Sequence, residues 1–199
     1  MDEITISTYD AQAASFAAAQ RNKTPAALYR LLERTFSRGA PTADIGCGSG
    51  RDTAWLVANG FPATGYDASA GMLAEARAAY PALDLRLAAL PELTVIPDRA
   101  YRNVLCSAVL MHLPAPAIET ASVALCRITA PGGRLVITYR ASETADAREP
   151  DGRLYTPIDG AALAATCASC GLHVLSQTAE ADGGRPGVVW HVLVAERAG

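Results

Sequence analysis

The stretch Pro41-Thr42-Ala43-Asp44-Ile45-Gly46-Cys47-Gly48-Ser49-Gly50 is a short apolar run that breaks into three glycines on alternate positions. Gly39 stands just ahead of it, and an amphipathic segment with Trp55, Leu56 and Val57 follows. The order reads as a buried strand, a tight glycine-rich turn and a helix. Glycine lets the chain turn sharply and lets a ligand approach bare backbone. The unpaired N–H groups at the start of the helix would face an anionic group seated over the turn.

Spacing narrows the ligand. A dinucleotide fingerprint places its third glycine three positions after the second, and here that position is Arg51. A phosphate-cradling P-loop needs Gly-Lys-Ser/Thr after the turn, which is missing. What remains is a loop spaced for a nucleoside whose other end is small and carries a carboxylate. Further along, Thr64-Gly65-Tyr66-Asp67 ends a second apolar run with an acid. A carboxylate at the tip of a second strand can accept hydrogen bonds from both ribose hydroxyls.

The chain has 199 residues, 50% of them apolar and 19% charged, which suits one domain with a full-sized core. A formal charge of −3 without any block of Lys or Arg speaks against a nucleic-acid partner, which usually meets a basic face. No secretory signal and no apolar run long enough to span a bilayer is present, so the expectation is a cytoplasmic protein with no membrane partner. Five cysteines in that compartment are expected to stay reduced.

Along the chain, residues 7 to 37 read as two helices, one through Ala11 to Ala17 and one opened by Thr24-Pro25 as cap and first helical position. After the glycine turn, strand and helix alternate: strands near 62–66 and 83–88 around a helix near 69–79, a fourth strand ending near Ser107, a helix over 115–129, a turn at Pro131-Gly132-Gly133 and a fifth strand at 134–140. This alternation argues for a parallel sheet with helices on both faces. Thr144 to Arg153 reads as a loop, followed by a helix near 158–170. Two strands, 172–176 and 188–194, form a hairpin across a Gly-rich link containing Arg185. No repeat or composition break divides the chain. The expectation is one domain over 1–199: lid helices at 1–38, a cofactor-binding core at 39–140, and an acceptor-side loop, helix and closing hairpin at 141–199.

In order and spacing, residues 40 to 140 resemble a class I S-adenosylmethionine-dependent methyltransferase. The resemblance rests on Asp44 to Gly50, on Gly65-Tyr66-Asp67-Ala68-Ser69, on Gly71-Met72, on Val104 to Pro114 and on Pro131 to Ile137. It implies an α/β, Rossmann-like, doubly wound sheet of seven mostly parallel strands in the order 3-2-1-4-5-7-6, the last one antiparallel. It implies S-adenosyl-L-methionine as cofactor: Asp44, Gly46, Cys47, Gly48 and Gly50 around the methionine end, Asp67 and Ala68 at the ribose, Met72, Ala89 and Leu90 at adenine, and Ser107 near the methionyl amino group. Tyr9-Asp10 ahead of an Ala-rich helix resembles the family's closing element; Tyr9 would touch the cofactor, or the helix is an amphipathic lid without contact. Met72 is equally readable as core filler. The family's aspartate before Leu90-Pro91 is replaced by alanine, which leaves adenine to backbone groups, and its usual acid stands as Asn103.

For the chemistry, His112 lies just past the fourth strand on the ligand-binding edge and titrates near working pH, so it is the candidate base; alternatively it fixes its loop through a backbone hydrogen bond. Arg140, Arg153 and Tyr155 follow the fifth strand, where they would grip an anionic acceptor or simply be solvated. Cys167-Ala168-Ser169-Cys170 has CxxC spacing but no second pair, and no metal site is expected. The expected partner is a small-molecule acceptor, with a homodimer left open. Two rival classes stand beside this reading: a non-catalytic cofactor-binding or partner protein of the same fold, and an NAD-dependent oxidoreductase, which Arg51 disfavours.

Overall fold

A computed structural model describes residues 1–141, 147–182 and 188–199. Its main strands are β1 (Thr42–Ile45), β2 (Ala63–Asp67), β3 (Asp84–Leu87), β4 (Tyr101–Ser107), β5 (Thr129–Arg140), β8 (Leu172–Ala181) and β9 (Val189–Arg197). These seven form one sheet in the order β3-β2-β1-β4-β5-β9-β8. The first five pair in parallel, whereas β9 runs antiparallel to both β5 and β8. This is the expected order, with two short strands intervening in sequence: β6 (Ala147–Arg148) and β7 (Leu154–Tyr155) pair as a separate antiparallel ribbon. Part of the segment expected as a loop is therefore that ribbon. Arg185 lies outside the described residues.

The central strands are apolar on both sides because both faces are covered. Alternate residues of β4 and β5 go to opposite layers: Val104, Cys106, Leu135 and Ile137 join α6 (Ile118–Ile128) and α7 (Gly160–Ser169) on one face. Leu105 and Val136 join Leu32 of α3 (Ala26–Thr35) and Leu56 of α4 (Arg51–Ala58) on the other. The buried Asn103 knits the start of β4 to the preceding loop. Its Oδ1 accepts from Ser37 N at 2.9 Å, and its Nδ2 donates to Ser37 O and Thr42 Oγ1, both at 2.9 Å. The residue standing where an acid was expected is thus a structural pin.

Three N-terminal helices replace the expected two: α1 (Glu3–Ala11), α2 (Ala13–Arg21) and α3. The first begins early because Asp2 caps it, accepting from Thr5 N at 2.9 Å. Thr24 makes no side-chain cap; Pro25 is the cap residue of α3, and Thr24 contributes its carbonyl to Ala26 N. Helix α5 (Ala70–Ala79) is capped by Ser69, whose Oγ accepts from Met72 N. The Pro131-Gly132-Gly133 turn is absorbed into β5, and the final hairpin strands run longer than their apolar cores because exposed residues 176–181 of β8 still pair with β9. Among the described residues no helix is long and apolar enough to cross a membrane, and no cluster of His, Cys, Asp or Glu could hold a metal ion. The five cysteines are free; Cys126 and Cys167 lie with their sulfurs 3.9 Å apart in the core.

Candidate functional site: the cleft at the carboxyl ends of the strands

Open sheets of this type hold ligands where the strand order reverses, outside the carboxyl ends. Here β1 and β4 are the switch, and a cavity of about 1040 Å³ opens above them. The turn after β1 adopts left-handed backbone at Gly46, Gly48 and Gly50, with φ of 76°, 52° and 75°. A Cβ at Gly46 would lie 2.2 Å from Val109 Cγ2, and one at Gly48 would lie 2.7 Å from Gln20 Oε1. Glycine is therefore needed at Gly46 for space as well as for conformation, whereas at Gly48 the atom met is the end of a flexible side chain and the left-handed backbone decides.

The N–H groups of the turn itself are engaged within the protein. Gly46 N and Cys47 N donate to Tyr66 O at 2.7 and 2.9 Å, which fastens the turn to the end of β2. Gly48 N donates to Asp67 Oδ2 at 2.7 Å, and Gly50 N donates to Cys47 O at 3.0 Å. Ser49 N donates to Gln20 Oε1 at 3.0 Å. Only an oxygen can accept from Ser49 N–H, so the Gln20 amide is oriented with Oε1 on the turn. Ser49 Oγ is buried without a partner.

Asp67 ends β2 in the cavity wall. Its Oδ1 accepts from Ser69 N at 2.8 Å. Burial raises its pKa against the pull of the Ser69 and Gly48 N–H groups. Asp44 does not reach the cavity: it is buried behind the turn, accepting from Thr53 Oγ1 at 2.6 Å. Burial first, then the Asp52 charge, pushes its pKa up to about 7. Gly50 and the exposed Ala89 are likewise outside the wall, and Ala88 lines it in Ala89's stead, beside Leu90, Ala68 and Met72. Met72 is fully buried against Ala13 and Ala17 of α2, so it is lid packing and cavity wall at once.

The lid is latched through Asp10, Gln20 and Arg51. Asp10 Oδ1 accepts from Ser69 Oγ at 2.5 Å and from Gly71 N at 2.9 Å. Gly71 lacks a Cβ that would lie 3.0 Å from Asp10 O, so α1 rests directly on the start of α5. Arg51 forms a bidentate pair with Asp52 at 2.8 Å and donates to the carbonyls of Gln20 at 3.0 Å and Lys23 at 3.4 Å. The arginine in the third glycine's place thus holds the end of α2. Asp52 in turn accepts from Tyr29 Oη at 2.7 Å, joining α3. Nothing in the sequence sets Gln20 or Asp52 apart from a solvated helix face.

On the other side of the cavity, Tyr9, His112, Arg140, Arg153 and Tyr155 come together. His112 Nδ1 donates to Leu154 O at 2.7 Å, which leaves Nε2 unprotonated and 3.3 Å from Tyr9 Oη as acceptor. Burial lowers the His112 pKa to about 4. Its ring meets Tyr9 and Tyr155 edge-on, at 5.8 and 4.9 Å. Tyr9, whose expected roles are cofactor contact or none, turns its hydroxyl to His112. Ser107 lines the wall with Oγ 2.9 Å from Thr138 Oγ1, and Ala108 beside it is left-handed at φ 61°. His191 stacks on Tyr139 with centroids 5.0 Å apart.

Residues 43–133, just under half the chain, match the family model described as methyltransferase domain. Among solved structures, the chain is similar to the 1,6-didemethyltoxoflavin-N1-methyltransferase of Burkholderia thailandensis with bound 1,6-didemethyltoxoflavin and S-adenosylhomocysteine. That match has a TM-score of 0.74 and 19% identity over 98% of this chain and 88% of that one. A chain in the complex between the Haloferax volcanii Trm112 methyltransferase activator and its methyltransferase gives 0.73 and 20% over 98% and 99%. An S-adenosylmethionine-dependent methyltransferase from Methanosarcina mazei gives 0.71 and 16% over 84% and 97%. No curated protein sequence matches. Family match and sheet order agree: residues 43–133 match a methyltransferase-domain model, and the sheet they help to form is Rossmann-like, in the strand order that the resemblance to class I methyltransferases implies.

Proposed function

We propose that this chain is a cytoplasmic S-adenosylmethionine-dependent methyltransferase acting on a small-molecule acceptor. The observation that carries the reading is the convergence of Asp67 and the Gly46–Ser49 turn on one cavity whose opposite wall is His112, Arg153 and Tyr155. The residues fit the cofactor. Asp67 would accept from the ribose hydroxyls, Ala68, Met72, Ala88 and Leu90 would enclose adenine, and Ser107, the Gln20 NH₂ and the unpartnered Ser49 Oγ would meet the methionine end. When bound, S-adenosylmethionine supplies an electrophilic methyl group on a positively charged sulfur.

The chain's own residues then act mainly by alignment. Holding two reactants in near-attack geometry removes a large entropic part of the barrier. The α1–α2 lid excludes water from the cleft through its Asp10, Gln20 and Arg51 contacts. Support for a small acceptor comes from the Burkholderia structure, whose bound partner is a small heteroaromatic molecule. A second reading, cofactor binding without turnover, is favoured by the engagement of His112 Nδ1 with a backbone carbonyl where a supporting carboxylate would strengthen it as a base. S-adenosylhomocysteine release over a panel of acceptors separates the two, with cofactor affinity measured on the same preparation. Release above the acceptor-free rate supports the enzyme, and tight cofactor binding with none supports the second reading.

A further inference from the structure

We propose that the acceptor is a small planar molecule bearing an oxyanion, a carboxylate or an ionised phenol, which binds between Arg153 and Arg140 beside the Tyr155 ring and is methylated on that oxygen. This rests on the methyltransferase reading of the cavity and adds the substrate class.

The geometry is one of directed donors around flat rings. Arg153 uses Nε and Nη2 on Asp151 at 2.9 Å, which leaves Nη1 at the limiting distance of 3.5 Å from Tyr9 Oη. Its guanidinium lies over Phe16 at 4.8 Å, Tyr155 at 5.7 Å and Tyr9 at 5.8 Å, so the side chain is held in place by rings. Arg140 lies on Tyr155 at 4.8 Å and spends one nitrogen, Nη1, on Glu149 at 3.0 Å. Each arginine thus keeps N–H capacity after its carboxylate partner is satisfied, because a guanidinium has five donors. Arginine prefers planar oxyanions, which accept two parallel hydrogen bonds. The cavity's other acids sit elsewhere: Asp67 and Asp52 lie by the glycine turn, and Glu180 and Asp182 belong to the β8 end. Glu180 is two strands across from Arg140 in the register, about 10 Å away.

The His112 contacts point the same way. Nδ1 is engaged by Leu154 O, Nε2 faces the Tyr9 hydroxyl, and among the described residues no carboxylate is hydrogen-bonded to the ring. An ionised acceptor needs no base. A lone pair on its oxygen forms the bond to the methyl carbon, the electrons of the broken C–S bond return to sulfur, and an anion and a cation become two neutral groups. An ammonium or neutral alcohol would leave a proton to be placed, and His112 Nε2, which already faces the Tyr9 hydroxyl and whose basicity burial lowers, is poorly suited to take it.

The test titrates benzoate, 4-nitrophenolate, benzamide and benzylamine at a pH of about 8 into the protein saturated with S-adenosylhomocysteine, and again into the unloaded protein. At least one oxyanion is expected to bind about tenfold or more tighter than benzamide and benzylamine. That preference should vanish in Arg153→Gln, shrink in Arg140→Gln and return in part with Arg153→Lys. Benzoate alone identifies a carboxylic acid, and 4-nitrophenolate alone a phenol. Equal binding of all four, preference for benzylamine, no binding of either oxyanion, or a preference that survives both glutamine variants would overturn the proposal. If S-adenosylhomocysteine itself fails to bind, the methyltransferase reading falls, and the unloaded titration still decides the oxyanion preference.

Discussion

Asp67 Oδ2 accepts the Gly48 N–H at 2.7 Å, so the acid that ends β2 is tied directly to the turn that follows β1. Two strand ends are thereby fixed against each other, and the carboxylate is held in the cavity wall by N–H donors that favour its charged form while burial opposes it. The glycines around β1 differ in what surrounds them, which separates conformation from space. Gly39, with φ 73°, has nothing within 4 Å of the place a Cβ would take, whereas a Cβ at Gly46 meets Val109 Cγ2 at 2.2 Å. Gly39→Ala should lose about 1 kcal/mol for left-handed backbone. Gly46→Ala should lose that plus roughly 1–3 kcal/mol for overpacking. Urea denaturation of the two variants tests the order; equal losses would contradict it.

Asp44 sets a pH dependence of known sign. Its pKa in the fold, about 7, lies above the ordinary carboxylate value of 3.8, so the folded state holds a proton that the unfolded state releases. Stability contributed by this group is therefore fully present below the ordinary value and is lost as pH rises toward about 7. Asp44→Asn keeps an acceptor for Thr53 and cannot ionise. Its stability relative to the unmodified chain should rise between about pH 4 and about pH 8, measured by denaturant unfolding at both ends. A pH-independent difference would count against the buried, partly protonated carboxyl.

His112 shifts the opposite way. With its folded pKa at about 4 against an ordinary 6.5, it contributes stability that is present above the ordinary value and is lost as pH falls toward about 4. Its ring should stay neutral, with the proton on Nδ1, from about pH 5.5 to about pH 8 in nitrogen-detected NMR. A midpoint near the ordinary value would remove the picture of a ring shielded by Tyr9 and Tyr155.

The lid should be held by Asp10. Asp10→Ala removes the acceptor for Ser69 Oγ and Gly71 N, a charge-assisted pair. Hydrogen bonds to charged groups contribute about 1.5–3 kcal/mol, so amides of α1 should exchange about ten to a hundred times faster than in the unmodified chain. Unchanged protection of α1 would show that the Arg51 and Gln20 contacts suffice without it.

The cofactor-side fold is legible in the sequence because its signals are local: three alternate glycines, an acid ending the next apolar run, and short apolar runs that alternate with helical segments. The lid is harder to read. Asp10, Gln20 and Arg51 act across roughly 30 to 60 residues of sequence, on backbone groups that leave no pattern. The ribbon β6–β7 is invisible for a similar reason. Its strands are two residues each, and the α1 contacts beside it, Thr5 Oγ1 accepting from Leu154 N and Arg148 pairing with Asp2, join opposite ends of the chain. Asp44 reads as a ligand contact because it sits in the motif, but strand alternation turns its side chain to Thr53 instead.

The most direct measurement is calorimetric titration of S-adenosylhomocysteine into the unmodified chain and into Asp67→Ala. The account predicts one site per chain, with affinity weakened at least about tenfold by the substitution while the fold is retained. Absence of binding, or equal affinity in the two proteins, would contradict it.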